Sequence, residues 1–308
     1  MGKRLKWSAG LLAIAAIGFL AVAVMRDGRG ALDPASTAGP LQLSGSPIEK
    51  GRYLAAAANC TSCHTQPGGA PYAGGVAFNL PVGTIYSSNL TPDAATGIGG
   101  WSDDEFLGAV RSGVARGGRH LYPAHPYTAY AAMARDDALA IFAYLKSLPA
   151  VQSQVAAASV SFPFSQRWLM PAWNLFFLRD GRFVADGAHD AQWNRGAYLA
   201  TALGHCGECH TPRNLAYATK SDRPLAGAVL QGWKAYDITA TGGLATGGWD
   251  AASLGDYLRS GHAAGHGSAA GPMREVVADS TSQLSDADRA ALIAYLLGGS
   301  AAAGATAP

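Results

Sequence analysis

Two pentapeptides constrain this chain more than anything else in it: Cys60-Thr61-Ser62-Cys63-His64 and Cys206-Gly207-Glu208-Cys209-His210. Both fit C-x-x-C-H. Two cysteines three apart on a helical turn face the same side, so each can form a thioether to one vinyl group of a haem. The histidine that follows then aims its imidazole at the iron from that side. A structural zinc site would need two further ligands at matched spacing, and the four cysteines of the chain leave none over. A redox dithiol would not be duplicated with a histidine attached. The pattern predicts two covalent haem c groups on Cys60, Cys63, Cys206 and Cys209, with His64 and His210 as axial ligands and no disulfide.

The surroundings of the two motifs also repeat. Gly51-Arg52-Tyr53-Leu54-Ala55 before Cys60 matches Gly196-Ala197-Tyr198-Leu199-Ala200 before Cys206. Trp101 through Gly113 matches Trp249 through Gly261 without a gap (249 − 101 = 148), and Asp136 through Leu145 matches Ala287 through Leu296 at an offset of 151 (287 − 136). The repeat points to the remaining ligands. Met273, in a loop before the last helix, is placed where a thioether can reach the second iron, with a core-filling role as the alternative. The offset of 148 sets His125 opposite Met273, so His125 is the expected distal ligand of the first iron, against a plain loop histidine. Met133 is the rival ligand, at a position that matches Leu284 and so reads as core. Trp101 and Trp249 are either propionate donors or core.

Each copy reads as helices joined by glycine-rich loops. Ser46-Pro47-Ile48-Glu49 is a capping box, Ser102 caps a second helix with acids in its first turn, and Asp136 to Leu148 forms a third. Strand-like alternation is missing, so the expected class is all-α: two tandem haem domains, an aromatic-rich connector and an N-terminal transmembrane helix. The expected boundaries are 1–25 for an anchor or signal peptide, 26–46 for a flexible tether, 47–150 and 190–300 for the domains, 151–189 for the connector and 301–308 for a disordered tail. The connector reads as a strap packed across both domains rather than a partner-binding patch.

The anchor rests on the uncharged run Trp7 to Met25, long enough to span ~28 Å at 1.5 Å per residue. Basic residues before it place the body outside the cytoplasm, so the expected location is inner-membrane anchored with periplasmic haem domains; Ala21-Val22-Ala23 leaves a cleaved leader as the competing reading. The formal net charge of +2 gives no nucleic-acid footprint. Gly 39 in 308 residues suggests chain wrapped closely around something other than its own side chains.

The segment CHTxPGGAPYAGG after the first motif, Ser88-Asn89-Leu90-Thr91-Pro92-Asp93, the LYPA-x-PY loop and GHCGECHTPRN resemble the cytochrome c subunit of bacterial membrane-associated dehydrogenases of the alcohol, gluconate and aldehyde types. The likeness covers about 47–297. It implies an electron-transfer subunit, not an enzyme in itself. Such a subunit takes electrons from a flavin, quinone-cofactor or molybdenum catalytic subunit and passes them to a quinone or a terminal oxidase. Family members commonly carry three haems where this chain has two motifs, and often have methionine where His125 stands. The rival is a di-haem enzyme, of the peroxidase or thiosulfate-oxidising type, in which His125 dissociates to open one iron. Against that rival, the LYPA-x-PY loop offers no carboxylate for acid–base work. A subunit of a haem-copper oxidase is a further reading, which the loop motifs disfavour.

Overall fold

Local signals start the first helix where the sequence places it. Ser46 Oγ accepts the Glu49 backbone N–H and the Glu49 carboxylate accepts the Ser46 N–H, closing a capping box ahead of α1 (Pro47–Ala57). The helix does not run on into the first motif. Asn59 takes a left-handed φ of 53° and a new turn, α2 (Cys60–His64), begins after it. The computed structural model describes Gly18, Leu41 and residues 43–179 and 181–298.

A hairpin of β1 (Ala77–Leu80) and β2 (Gly83–Tyr86) follows. A second capping box, Ser102 with Glu105, opens α3 (Asp103–Leu107), which a π-helical turn extends to Ser112. The short pair β3 (Val114–Ala115) and β4 (Arg119–His120) leads to α4 (Tyr127–Tyr130) and α5 (Arg135–Lys146). The connector returns one short strand, β5 (Ser159–Val160), to the edge of β2 and then forms α6 (Met170–Phe177). The series then recurs. α7 (Ala191–Tyr198) and α8 (Gly207–His210) are followed by the hairpin β6 (Ala226–Leu230) and β7 (Trp233–Asp237). α9 (Gly243–Thr246), α10 (Ala251–Ser260), the pair β8 (His262–Ala263) and β9 (Gly267–Ser268), α11 (Pro272–Asp279) and α12 (Asp286–Leu296) complete it.

In each series the first helix crosses the last, α1 on α5 and α7 on α12. Glycine makes the crossing possible. A Cβ at Gly51 would stand 1.8 Å from the Ala140 carbonyl oxygen, and one at Gly196 would stand 1.9 Å from that of Ala291. One apolar cluster, with Leu54, Leu107 and Leu145 from the first series and Leu199, Leu203 and Leu292 from the second, runs through both. Each such leucine, fully buried, contributes roughly 1.5–3 kcal/mol.

Two tyrosines tie the series together by exchange. Tyr198 Oη donates to Asp137 Oδ2 at 2.6 Å and accepts the Ala134 backbone N–H at 3.0 Å. Reciprocally, Tyr53 Oη donates to Asp288 and accepts the Ser285 N–H at 3.1 Å. Tyr53 and Tyr198 are repeat equivalents, as are Asp137 and Asp288 (288 − 137 = 151). Each repeat thus plants its tyrosine at the start of the other's last helix, which is an isologous contact within one chain. The symmetry breaks at the acids: Arg195 pairs with Asp288, while Lys50 stands at the matching position near Asp137.

Two expectations need correction. The chain is not all-α: it is mixed, 43% helical and 12% strand, in several small sheets. The strands escape sequence reading because they are two to five residues long, too short for alternation to register. The expected transmembrane helix, and the inner-membrane anchoring drawn from it, also need correction. Among the described residues no helix is long and apolar enough to cross a membrane. The longest, α5, has 12 residues and spans about 18 Å against a hydrocarbon core of about 30 Å. The run Trp7 to Met25, Gly18 apart, lies outside the described residues, as do the expected tail at 301–308 and most of the expected tether.

The connector touches both series. Asn174 accepts from Tyr127 Oη at 2.8 Å, and Trp173 Nε1 donates to the Ala216 carbonyl at 2.9 Å. Phe162, Phe164, Trp168 and Phe176 nonetheless stay exposed.

Tyr198→Phe should cost about 1–3 kcal/mol in denaturant unfolding, because it leaves the buried Asp137 carboxylate and Ala134 N–H without their partner. Burial is the largest influence on Asp137 and pushes its carboxyl above the ordinary value, with the Tyr198 bond opposing. The folded chain therefore holds that proton more tightly than the unfolded chain does. The stabilisation is complete below the ordinary pKa of about 3.9 and is lost as pH rises through the raised folded value. Unfolding free energy measured across that interval should fall with pH, and Asp137→Asn should flatten the fall.

Candidate functional site

The left-handed turn at Asn59 swings the first motif out of α1, and Cys60, Cys63 and His64 come to line one cavity of about 550 Å³. That volume lies within the ~300–1,000 Å³ of ligand pockets. His125 and Met133 line the same cavity, so the structure brings both candidate distal residues to the first motif. Met133 is also fully buried in the core.

The imidazole of His64 is oriented by the backbone. Its Nδ1 stands 2.7 Å from the Ser88 carbonyl oxygen, just past β2. Facing an acceptor, Nδ1 carries the proton, which leaves the Nε2 lone pair for a metal. The second motif repeats the device: His210 Nδ1 stands 2.6 Å from the Tyr236 carbonyl in β7. Close backbone approach holds the first arrangement. The Gly74 N–H donates to the His64 carbonyl at 2.8 Å, and a Cβ at Gly74, whose φ is 73°, would meet the Ser88 carbonyl at 2.5 Å.

The second hairpin also reaches the turn that carries Met273. Met273 is half-buried in the first turn of α11. Gly271, two residues before it, lies under the Trp233 indole, where a Cβ would stand 2.6 Å from the ring. β7 therefore carries Tyr236 to His210 and Trp233 to the start of α11, while Cys206 and Met273 pack against the same apolar cluster.

Electrostatics favour uncharged sulfur and neutral imidazole. Burial pushes the Cys60 thiol up to about 12, and the Cys63 and Cys206 thiols up to about 11. Such sites oppose a zinc thiolate and suit a thioether, which bears no charge. Burial lowers the pKa of His64 and His210, and that of His125 to about 3, with His64 and His205 contributing to the last. Among the described residues no group of three or more His, Cys, Asp or Glu could hold a bare metal ion. The donor set, two thiols and a histidine with a free Nε2 on each turn, fits haem c, which Cys60, Cys63 and His64 and Cys206, Cys209 and His210 would hold.

Each motif is bonded to the other series. Ser62 Oγ donates to Asp279 Oδ2 at 2.8 Å, and Thr128 Oγ1 donates to Glu208 Oε1 at 3.0 Å. His205 adjoins Cys206 yet lines the first cavity. The Tyr130 ring lies between it, at 5.4 Å, and His125, at 5.6 Å, with Tyr130 Oη donating to the Ala58 carbonyl at 2.7 Å. His189 and His266 stack on Trp193 and Trp249. Trp101 lines the first cavity.

Sequence reasoning missed Ser88 and Tyr236, because each acts through a carbonyl that every residue has. A signal existed: the offset of 148 that relates Trp101 to Trp249 also relates Ser88 to Tyr236 (236 − 88 = 148).

A family model for cytochrome c matches residues 48–149. Over 298 residues the chain is 45% identical to a subunit of the nicotinate dehydrogenase of Pseudomonas putida, covering 96% of this chain and 25% of that protein. It is 40% identical to the fructose dehydrogenase cytochrome subunit of Gluconobacter japonicus, over 81% of this chain and 52% of that one. A diheme cytochrome c-type protein of Cereibacter sphaeroides is 36% identical, over 80% of this chain and 84% of its own length. The chain thus spans a quarter to about half of the first two relatives, and most of the third.

Gly74→Ala should drive Ser88 off His64 and lower the thermal midpoint by the equivalent of ~1–3 kcal/mol, combining left-handed strain with a backbone clash. Ser88→Ala keeps the carbonyl and should stay within about 0.5 kcal/mol of the parent.

Proposed function

This chain belongs to the family of cytochrome c subunits of bacterial dehydrogenases, and from that premise we propose that it carries two covalent haems and relays electrons from a dehydrogenase catalytic subunit toward the respiratory chain. It is an electron-transfer subunit and not itself the catalyst. The observation that carries the reading is the duplicated motif whose histidines both present Nδ1 to a backbone carbonyl. Bound at these motifs, haem c supplies a one-electron Fe(III)/Fe(II) couple.

In this reading Cys60 and Cys63 hold the first haem and Cys206 and Cys209 the second. His64 and His210 are the proximal ligands. His125 is the distal ligand of the first iron, with Met133 as its rival on the same cavity wall, and Met273 is the distal ligand of the second. A thioether raises the potential and a second imidazole lowers it. Electrons therefore enter at the His64/His125 site and leave from the His210/Met273 site. The contact of Tyr130 with His205, and the bonds that tie each motif to the other series, support a short internal route from one to the other. The donor is a flavin, molybdenum or quinone-cofactor subunit of a dehydrogenase, and the acceptor is a quinone or a terminal oxidase.

A redox titration should resolve two midpoints, and Met273→Leu should lower the upper one by roughly 100 mV, a small part of the ~0.8 V that axial ligands command. Two equal, high midpoints, or an upper midpoint indifferent to the substitution, would remove the assignment. The partner is tested by adding substrate to whatever catalytic subunit co-purifies with the chain. Reduction of the haem absorbance is the expected result.

A further inference from the structure

We propose that Arg119 and Arg167 form a clamp for the paired carboxylates of the porphyrin seated in the first cavity, and that this clamp raises the potential of the haem held there. The proposal rests on the haem reading above and deepens it. The lining of the cavity carries two arginines and no aspartate or glutamate. Arg119 comes from β4, and Arg167 comes from the connector, in the short 3-10 turn directly before α6.

Arg167 is held in place on two sides. Its Nη1 donates to the His120 carbonyl at 2.6 Å, and its guanidinium lies 4.1 Å over the Tyr122 ring, whose Oη donates to the Phe164 carbonyl at 3.0 Å. A guanidinium has five N–H donors in a rigid fork, so this anchoring leaves the fork positioned for a carboxylate. Burial lowers the Arg167 pKa, and the neighbouring Arg119 charge lowers it further. Two like charges on one cavity wall cost free energy unless an anion offsets them. A group bearing two carboxylates does so, with charge-assisted bonds to both arginines.

The second site lacks the pair. The offset of 148 sets Gly267 opposite Arg119 (267 − 119 = 148), and Arg167 belongs to the connector, which is not repeated. The clamp therefore acts on one haem. Two positive charges beside it neutralise the carboxylates and favour ferrous over ferric iron, more strongly in this part-buried setting than in water.

The test is a redox titration of the full-length, haem-loaded protein carrying Arg119→Gln, Arg167→Gln or Arg167→Lys, with Arg223→Gln as a control and haem content read from the pyridine haemochrome. Each glutamine variant should shift the ferric/ferrous ratio of one haem about tenfold toward ferric, a fall of about 59 mV for one electron. The other midpoint should stay in place. Arg167→Lys should recover part of the shift, and the shift should shrink at high salt. Where Arg167→Gln fails to fold, the exposed Arg119→Gln decides. The clamp is overturned if a protein still carrying two haems shows unmoved midpoints, if both midpoints move together, or if Arg223→Gln acts equally; the haem reading survives each of these. A chain with no covalent haem would overturn both.

Discussion

The bond from histidine Nδ1 to a backbone carbonyl is what the rest of the architecture serves. A C-x-x-C-H turn places an imidazole, but the ring has two nitrogens and free rotation about its stem. Only a fixed acceptor behind Nδ1 decides which nitrogen faces the iron. In this chain the acceptor is supplied twice by a strand hairpin folded back over the motif, through Ser88 and through Tyr236. The glycine-rich loops follow from that need, since Gly74 lets the backbone approach to a distance no side chain would permit.

A second constraint fixes the two motifs relative to each other. The exchanged tyrosines, Tyr53 and Tyr198, each satisfy the start of the other repeat's last helix. The same helices cross at Gly51 and Gly196, so packing and polar satisfaction are met by one geometry. Each motif turn is tied to the other series as a result, with Ser62 bonded to Asp279, Glu208 bonded to Thr128, and His205 reaching the first cavity. The repeats depart from this symmetry at His125 against Met273, at Lys50 against Arg195, and in the two arginines that line the first cavity.

Much of this was legible in the sequence, and the reasons are specific. The cysteine pairs, their histidines and the capping boxes at Ser46 and Ser102 are local patterns, so spacing alone located them. The offset between repeats singled out His125, which lines the first cavity, but did not decide between it and Met133, which lines the same cavity while filling the core. The hairpins were invisible because strands of two to five residues carry no period, and that made the chain look all-α. The carbonyl partners were invisible because no residue type marks them. The apolar leader suggested a membrane helix, yet the folded helices are all too short to be one among the described residues. The connector was read from its aromatics as a packed strap. Trp173 and Asn174 do bridge both series, while Phe162 and Phe176 face outward.

The central claim is that both cysteine pairs carry porphyrin through covalent bonds. The mass of the polypeptide after denaturation and acid-acetone extraction tests it most directly. The account predicts a coloured chain heavier than its amino acids by two haems, with no thiol left to react. A colourless chain of bare polypeptide mass, or one heavier by a single haem, would contradict it.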